Sequence, residues 1–105
     1  MIGVITHHWA KPDKIEEAKA LLDRNGVAQS KAPGFGTRQT MIGLSDPSQI
    51  TTLVTWDNND IYEAWRASEA RKIAMDGAEL LWSSHPESER FNMEENLRLE
   101  QLRLE

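Results

Sequence analysis

The stretch that decides the fold is Gln49-Ile50-Thr51-Thr52-Leu53-Val54-Thr55-Trp56, then Asp57-Asn58-Asn59-Asp60, then Ile61-Tyr62-Glu63-Ala64-Trp65-Arg66-Ala67-Ser68. Its first part is rich in β-branched residues and alternates, so Ile50, Thr52, Val54 and Trp56 share one face of an extended chain. The next four residues are a dense helix start, with Asn58 the expected cap and acidic Asp60 in the first turn. Ile61, Tyr62 and Trp65, continued by Ser68 and Ala70, then form the buried stripe of a helix. At its centre the chain passes from strand to helix through one short turn.

Toward the N-terminus, Leu44-Ser45-Asp46-Pro47-Ser48 is a loop between two strands, and Phe35 to Gly43 reads as the partner strand of a hairpin. Ala32-Pro33-Gly34 is a firm break, because the residue before proline is pushed out of the helical region and glycine turns where other residues cannot. Before it, Ile15, Ala18, Leu21 and Leu22 recur at helical spacing. Gly26 weakens that helix by about 1 kcal/mol relative to alanine, yet Val27, Ala28 and Ser30 carry it to Lys31. Lys11-Pro12-Asp13 separates it from a first strand, Met1 to Trp9. That strand divides by parity into Ile2, Val4, Thr6 and His8 on one face and Gly3, Ile5, His7 and Trp9 on the other. The two histidines therefore cannot share a job.

Toward the C-terminus, Arg71 to Trp82 reads as a further helical stretch bearing Ile73, Ala74, Ala78, Leu81 and Trp82, with a bend at Gly77 and an end at His85-Pro86. Glu89 to Glu94 alternates polar residues with Phe91 and Met93, as a fourth, partly exposed strand would. Residues 1–94 are thus expected to form one domain. Residues 95–105 make a C-terminal tail, partly helical or flexible, whose last Leu-Glu has the look of an expression-vector remnant.

The order strand, helix, strand, strand, helix, strand defines an α+β chain. It is a ferredoxin-like plan, with a four-stranded antiparallel sheet and helices on one face. Apolar residues on both parities of the first and third strands imply that both faces are covered. A second copy is the simplest cover, giving a homodimer.

Composition narrows the function. The 105 residues are 39% hydrophobic and 28% charged, as in ordinary globular domains. A formal net charge of −5 without a run of Lys or Arg argues against nucleic acid. No segment approaches the roughly 18–20 apolar residues of a membrane span, and Met1 opens into a strand-like run with no basic leader; no membrane partner and a cytoplasmic location are expected. With no cysteine, disulfides, thiolate nucleophiles and sulfur-ligated metal sites are excluded. Three histidines leave a His–carboxylate metal site chemically open, but none is assigned.

Lys31-Ala32-Pro33-Gly34-Phe35, Asp46-Pro47 and Thr55 to Ser68, in that order, resemble the antibiotic-biosynthesis-monooxygenase family over residues 1 to about 94. That family closes its first helix in a Pro-Gly or Glu-Gly turn. It then sets a Trp at the end of the third strand, a capped helix, and an aromatic residue or His nine residues on. The resemblance implies a dimeric α/β barrel with a small-molecule pocket between each sheet and its own helices. It also implies a cofactor-independent monooxygenase acting on an aromatic or enolisable compound. A non-catalytic ligand-binding or stress-response barrel is the alternative, and a heme-binding relative a weaker one.

Cofactor-free oxygenation needs a base, an anion stabiliser and a dry pocket. Histidine suits the base. In family terms the first strand supplies polar pocket residues at about this place, which selects His7 as catalytic, with Trp9 on its face; a shift of one residue selects Thr6 or His8. The alternative is one exposed histidine and one held in the sheet. Trp65, nine residues after Trp56, matches the family's pocket aromatic and is the second catalytic candidate, although a helical Trp can equally be core. His8, Trp9, Arg38, Asn58 and Met75 are the substrate-binding candidates. Arg38 and Asn58 offer donors to an oxyanion, against the plainer readings of exposed strand residue and helix cap. Met75 stands where the heme-degrading relatives carry an axial histidine, and the only later histidine is His85. Heme degradation is disfavoured and no cofactor is expected.

Overall fold

A computed structural model describes residues 1–94; the tail expected at 95–105 lies outside the described residues. The elements are β1 (Ile2–Trp9), α1 (Ile15–Gln29), β2 (Phe35–Ile42), β3 (Gln49–Trp56), α2 (Asn59–Arg66), α3 (Glu69–Ala74), a 3-10 turn (Ala78–Leu80) and β4 (Glu87–Asn92). The sheet order is β2-β3-β1-β4 and every pairing is antiparallel. This is the ferredoxin-like α+β plan, with β1 and β3 central and β2 and β4 at the edges.

Local chemistry sets the boundaries. Asn58 Oδ1 accepts the Ile61 N–H at 2.9 Å and so starts α2. Gly34, at φ 77°, swings the chain from α1 into β2, and a Cβ there would meet Ile61 Cγ2 at 2.6 Å. The helix expected from Arg71 to Trp82 is broken in two. Ser68 Oγ caps α3 by accepting the Arg71 N–H at 3.1 Å. Gly77, at φ 84°, then ends the run, while Arg24 of α1 donates to Ala74 O at 3.0 Å and Asp76 O at 3.3 Å. That guanidinium takes the carbonyls a longer helix would have used, where the helix dipole also favours a cation. The new helix axis leaves Ile73, expected to be buried, 67% exposed. β4 begins and ends two residues earlier than its alternation suggests, because its ladder runs out of partner where Asn92 meets Ile2 at the start of β1.

The helices cover the sheet face that carries the even-numbered residues of β1, and the core there is in two parts. Ile2, Val4, Val54, Trp56, Tyr62 and Trp65 pack at one end. Ala10, Ala18, Leu21, Leu22, Ile50 and Ala78 pack at the other. Aromatic contacts centred on Trp56 organise the first cluster, with Phe35 edge-on at 5.8 Å and Trp65 stacked at 6.1 Å. Between the clusters the same face carries Thr6, His8 and Thr52, overlain by Asn25 and Gln29 of α1. This polar band, in a layer that is otherwise apolar, is where the site lies.

The opposite sheet face carries Ile5, Leu53, His7 and Trp9, all half-buried, beside Met41 and Phe91, which are 44% and 47% exposed. No helix of the described residues is long and apolar enough to cross a membrane.

Candidate active site

A cavity of about 690 Å³ opens between the sheet and the helices over the polar band. Its floor is Val4, Thr6, His8, Thr52 and Val54. One wall comes from α1 and β2 (Leu22, Asn25, Gln29, Arg38), the other from α2, α3 and β4 (Tyr62, Trp65, Arg66, Arg71, Met75, Arg90). Trp82 and His85 stand at its end.

Parity decides which histidine belongs. His8 pairs across the sheet with Ile50 and points to the cavity; His7 pairs with Thr51 and Glu87 and points to the opposite face. His7 and Trp9, expected at the pocket, are thus on the wrong side for it, because the helices pack on the even-numbered face of β1 and leave the odd-numbered face open. His7 Nδ1 lies 2.7 Å from Thr51 Oγ1, and its ring sits 6.1 Å from that of Trp9.

His8 is 5% exposed, and its Nδ1 lies 3.0 Å from the carbonyl oxygen of Ile50. A carbonyl can only accept, so Nδ1 carries the proton and the neutral ring keeps its lone pair on Nε2. Nε2 has no hydrogen-bond partner among the described residues. Burial pushes the His8 imidazole below the ordinary histidine value. The Ile50 carbonyl opposes this, and the positive charges of Arg38 and His7 add to the lowering. Trp82 lies against the ring, tilted by 38° at 5.1 Å between centroids.

Arg38 crosses from the edge strand β2 over α1. It donates from Nη1 to Gln29 Oε1 at 2.7 Å and from Nη2 to the Leu22 carbonyl at 2.9 Å. The crossing needs Gly26, because a Cβ there would stand 2.7 Å from Arg38 Nε. The glycine that weakens α1 as a helix is the gap through which a cation reaches the site. Burial lowers the guanidinium's pKa, and Asp23 pushes it back up.

Trp65 and Met75 line the cavity, Trp65 as a member of the core cluster that is 4% exposed and stacked on Trp56. Asn58 does not; its side chain is engaged at the α2 cap. The residues that sequence reasoning passed over are Asn25 and Gln29 of α1, and Arg66, Arg71 and Arg90 of the far wall. The first two left a signal: they continue the buried stripe Ala18, Leu21, Leu22 at helical spacing, and a polar side chain on an apolar stripe needs a reason. The arginines sit on short or edge elements and left none.

The sequence profile described as Antibiotic biosynthesis monooxygenase matches residues 1–77. No curated protein matches this chain. Solved structures do. The candidate antibiotic biosynthesis monooxygenase from Deinococcus radiodurans superposes with a TM-score of 0.84 at 17% identity, covering 94% of this chain and 98% of its own. SnoaB from Streptomyces nogalater, a cofactor-independent oxygenase, superposes with a TM-score of 0.80 at 14% identity, covering 91% and 95%. A conserved protein from Methanosarcina mazei Go1 gives 0.81 at 18% identity, covering 89% and 92%. At such identities the superpositions establish the fold, and the profile match, over most of the chain, establishes the kinship: this protein belongs to the antibiotic biosynthesis monooxygenase family.

Proposed function

We propose that the protein is a cofactor-independent monooxygenase acting on an aromatic or enolisable small molecule, with His8 as its general base. The observation that carries this reading is the His8 tautomer: a buried, neutral imidazole, held through Nδ1, with its Nε2 lone pair unclaimed beside the cavity. Such a base suits proton abstraction near neutral pH, since its basic nitrogen is not masked by a proton. The cavity is within the range that takes a drug-sized ring system.

The chemistry balances without further reagents. His8 Nε2 takes a proton from an acidic C–H or O–H, leaving a delocalised carbanion or phenolate. That anion gives two electrons to dioxygen as a C–O bond forms, and the resulting peroxide takes the proton back from His8; loss of water from the hydroperoxide leaves a carbonyl, so CH₂ and O₂ become C=O and H₂O. Arg38, held by Gln29 and Leu22, favours the anion electrostatically. Trp65, Trp82 and Met75 supply apolar surface for the ring.

The unit is proposed to be a homodimer formed through the opposite sheet face, where Ile5, Leu53, Trp9, Met41 and Phe91 offer apolar surface to a second copy. The test is anaerobic mixing with a panel of quinols and anthrones, followed by admission of oxygen. The expected result is oxygen uptake with product formation, lost in His8→Gln. Absence of uptake across the panel, or full activity in His8→Gln, overturns the reading. Binding of panel members without uptake would instead identify a ligand-binding protein.

A further inference from the structure

Among the residues lining the cavity are four arginines, Arg38, Arg66, Arg71 and Arg90, and one carboxylate, Glu79, although the chain as a whole carries a net charge of −5. The arginines are not equally matched. Arg38 is bound to Gln29 and the Leu22 carbonyl. Arg66 and Arg90 share a single carboxylate, Glu63, with Arg66 Nη1 at 3.5 Å from its Oε1; Arg90 also donates to Asn59 Oδ1 at 2.8 Å and lies over the Tyr62 ring. The half-buried Arg71 side chain has neither ion-pair nor hydrogen-bond partner among the described residues. On the facing wall Asn25 is 7% exposed, and its Oδ1 has no hydrogen-bond partner. A partly desolvated guanidinium without an acceptor is costly in an empty cavity and is relieved by an anionic group, whereas the buried Asn25 amide oxygen lacks a donor and is relieved by a hydroxyl elsewhere on the same ligand.

We propose that the ligand of this cavity carries a permanent oxyanion, such as a carboxylate, in addition to its reacting ring, and that Arg71, supported by Arg66 and Arg90, holds it. The placement fits the sheet. Arg38, Val54, Val4 and Arg90 form one row across the four strands, which spans about 14 Å at the usual strand spacing. Arg38 stands on one wall of the cavity and Arg66, Arg71 and Arg90 on the other, so a ring resting on the floor between the walls keeps its reacting carbon on the Arg38 side while a substituent extends to the far arginines. This assignment rests on the reading of the cavity as the substrate site.

The test uses 6-hydroxy-2-naphthoate and its methyl ester as probes, titrated calorimetrically into the full-length protein at about 0.02 M and about 0.3 M salt. The expected result is that the acid binds about tenfold or more tightly than the ester, as a charge-assisted hydrogen bond allows. The preference should shrink at the higher salt, fall at least about threefold in Arg71→Gln, and largely persist in Arg71→Lys. Equal affinities for acid and ester, a preference indifferent to Arg71→Gln, or no binding of the acid up to millimolar concentration would each overturn it. If Arg71→Gln failed to fold, the comparison of probes and salts on the unaltered protein decides. Oxygen takes no part in the measurement. A protein that prefers the acid yet oxidises nothing loses the oxygenase reading alone; one that oxidises esters as readily as acids loses the oxyanion site alone.

Discussion

Replacing Gly26 with alanine should destabilise the protein, contrary to what helix propensity dictates. In an isolated helix the change gains about 1 kcal/mol. Here the new methyl would stand 2.7 Å from Arg38 Nε and 2.9 Å from its Cδ, in the middle of a side chain fixed at its far end. Relief requires the guanidinium to leave Gln29 Oε1 and the Leu22 carbonyl. Bonds from a charged donor are worth about 1.5–3 kcal/mol each, and Gln29 is left buried without its partner. Allowing for partial rearrangement, a loss of about 2–4 kcal/mol outweighs the gain, for a net destabilisation of about 1–3 kcal/mol. Urea unfolding at constant m-value measures it. In an Arg38→Ala background the obstacle is gone, and the same Gly26→Ala change should stabilise by up to about 1 kcal/mol, a reversal of sign within one double-mutant cycle. If Gly26→Ala stabilised both backgrounds alike, Arg38 would not be held against α1 and its place in the site would be lost.

His8→Gln should lower oxygen uptake by about 10²–10⁴-fold, the usual worth of a positioned base. It should also alter the acid stability profile. The folded His8 pKa lies below the unfolded value of about 6.5, so below that pH the unfolded chain binds more protons and the native protein loses stability until the folded pKa is passed. Urea midpoints across this range should fall in the unaltered protein and flatten in the variant. Asn58→Ala should cost about 0.5–2 kcal/mol of stability through the lost α2 cap, with no change in probe affinity by calorimetry. Leu53→Glu should convert a dimer to a monomer in light scattering; an unaltered protein that is already monomeric at micromolar concentration removes the dimer proposal. Asn25→Leu should raise stability by about 1–3 kcal/mol, because it removes an unsatisfied buried carbonyl, while weakening probe binding; a stability loss would mean that Asn25 is satisfied by something within the fold.

Strand parity and turn chemistry made the fold legible. Gln49 to Trp56, the Asn58 cap and the Pro33-Gly34 break each carry a local reason, and together they admit one antiparallel plan. The limit was reached where tertiary contacts set the outcome. Nothing near Ala74 in sequence says that Arg24, on another helix, will take its carbonyl. In the site, the even and odd faces of β1 were separable, but which face the helices would cover was not. Both carry apolar residues, so the choice between His7 and His8 turned on a global fact rather than a local one. Arg38 is a candidate by its chemistry alone; nothing local on its edge strand says that it reaches the cavity, since its path depends on Gly26, twelve residues earlier on another element.

The two-part core explains how such a small domain tolerates a site of this polarity. Trp56, Trp65 and Tyr62 close one end and Leu22, Ile50 and Ala18 the other, so each cluster is packed on its own. Burial of those side chains supplies roughly 1.5–3 kcal/mol apiece for the larger ones. Against this, Asn25 and Trp56 Nε1 keep unpartnered polar atoms, Gly26 weakens α1, and His8 must stay uncharged. Asn25 and His8 belong to the band between the clusters, and Gly26 admits Arg38 to it. Departures from the most stable choice that gather around one cavity are the mark of a surface kept for a ligand rather than for the fold. On that argument the side chains that matter to function are those whose replacement by an apolar residue of similar size would strengthen the protein, a criterion that selects Asn25 and excludes Asn58.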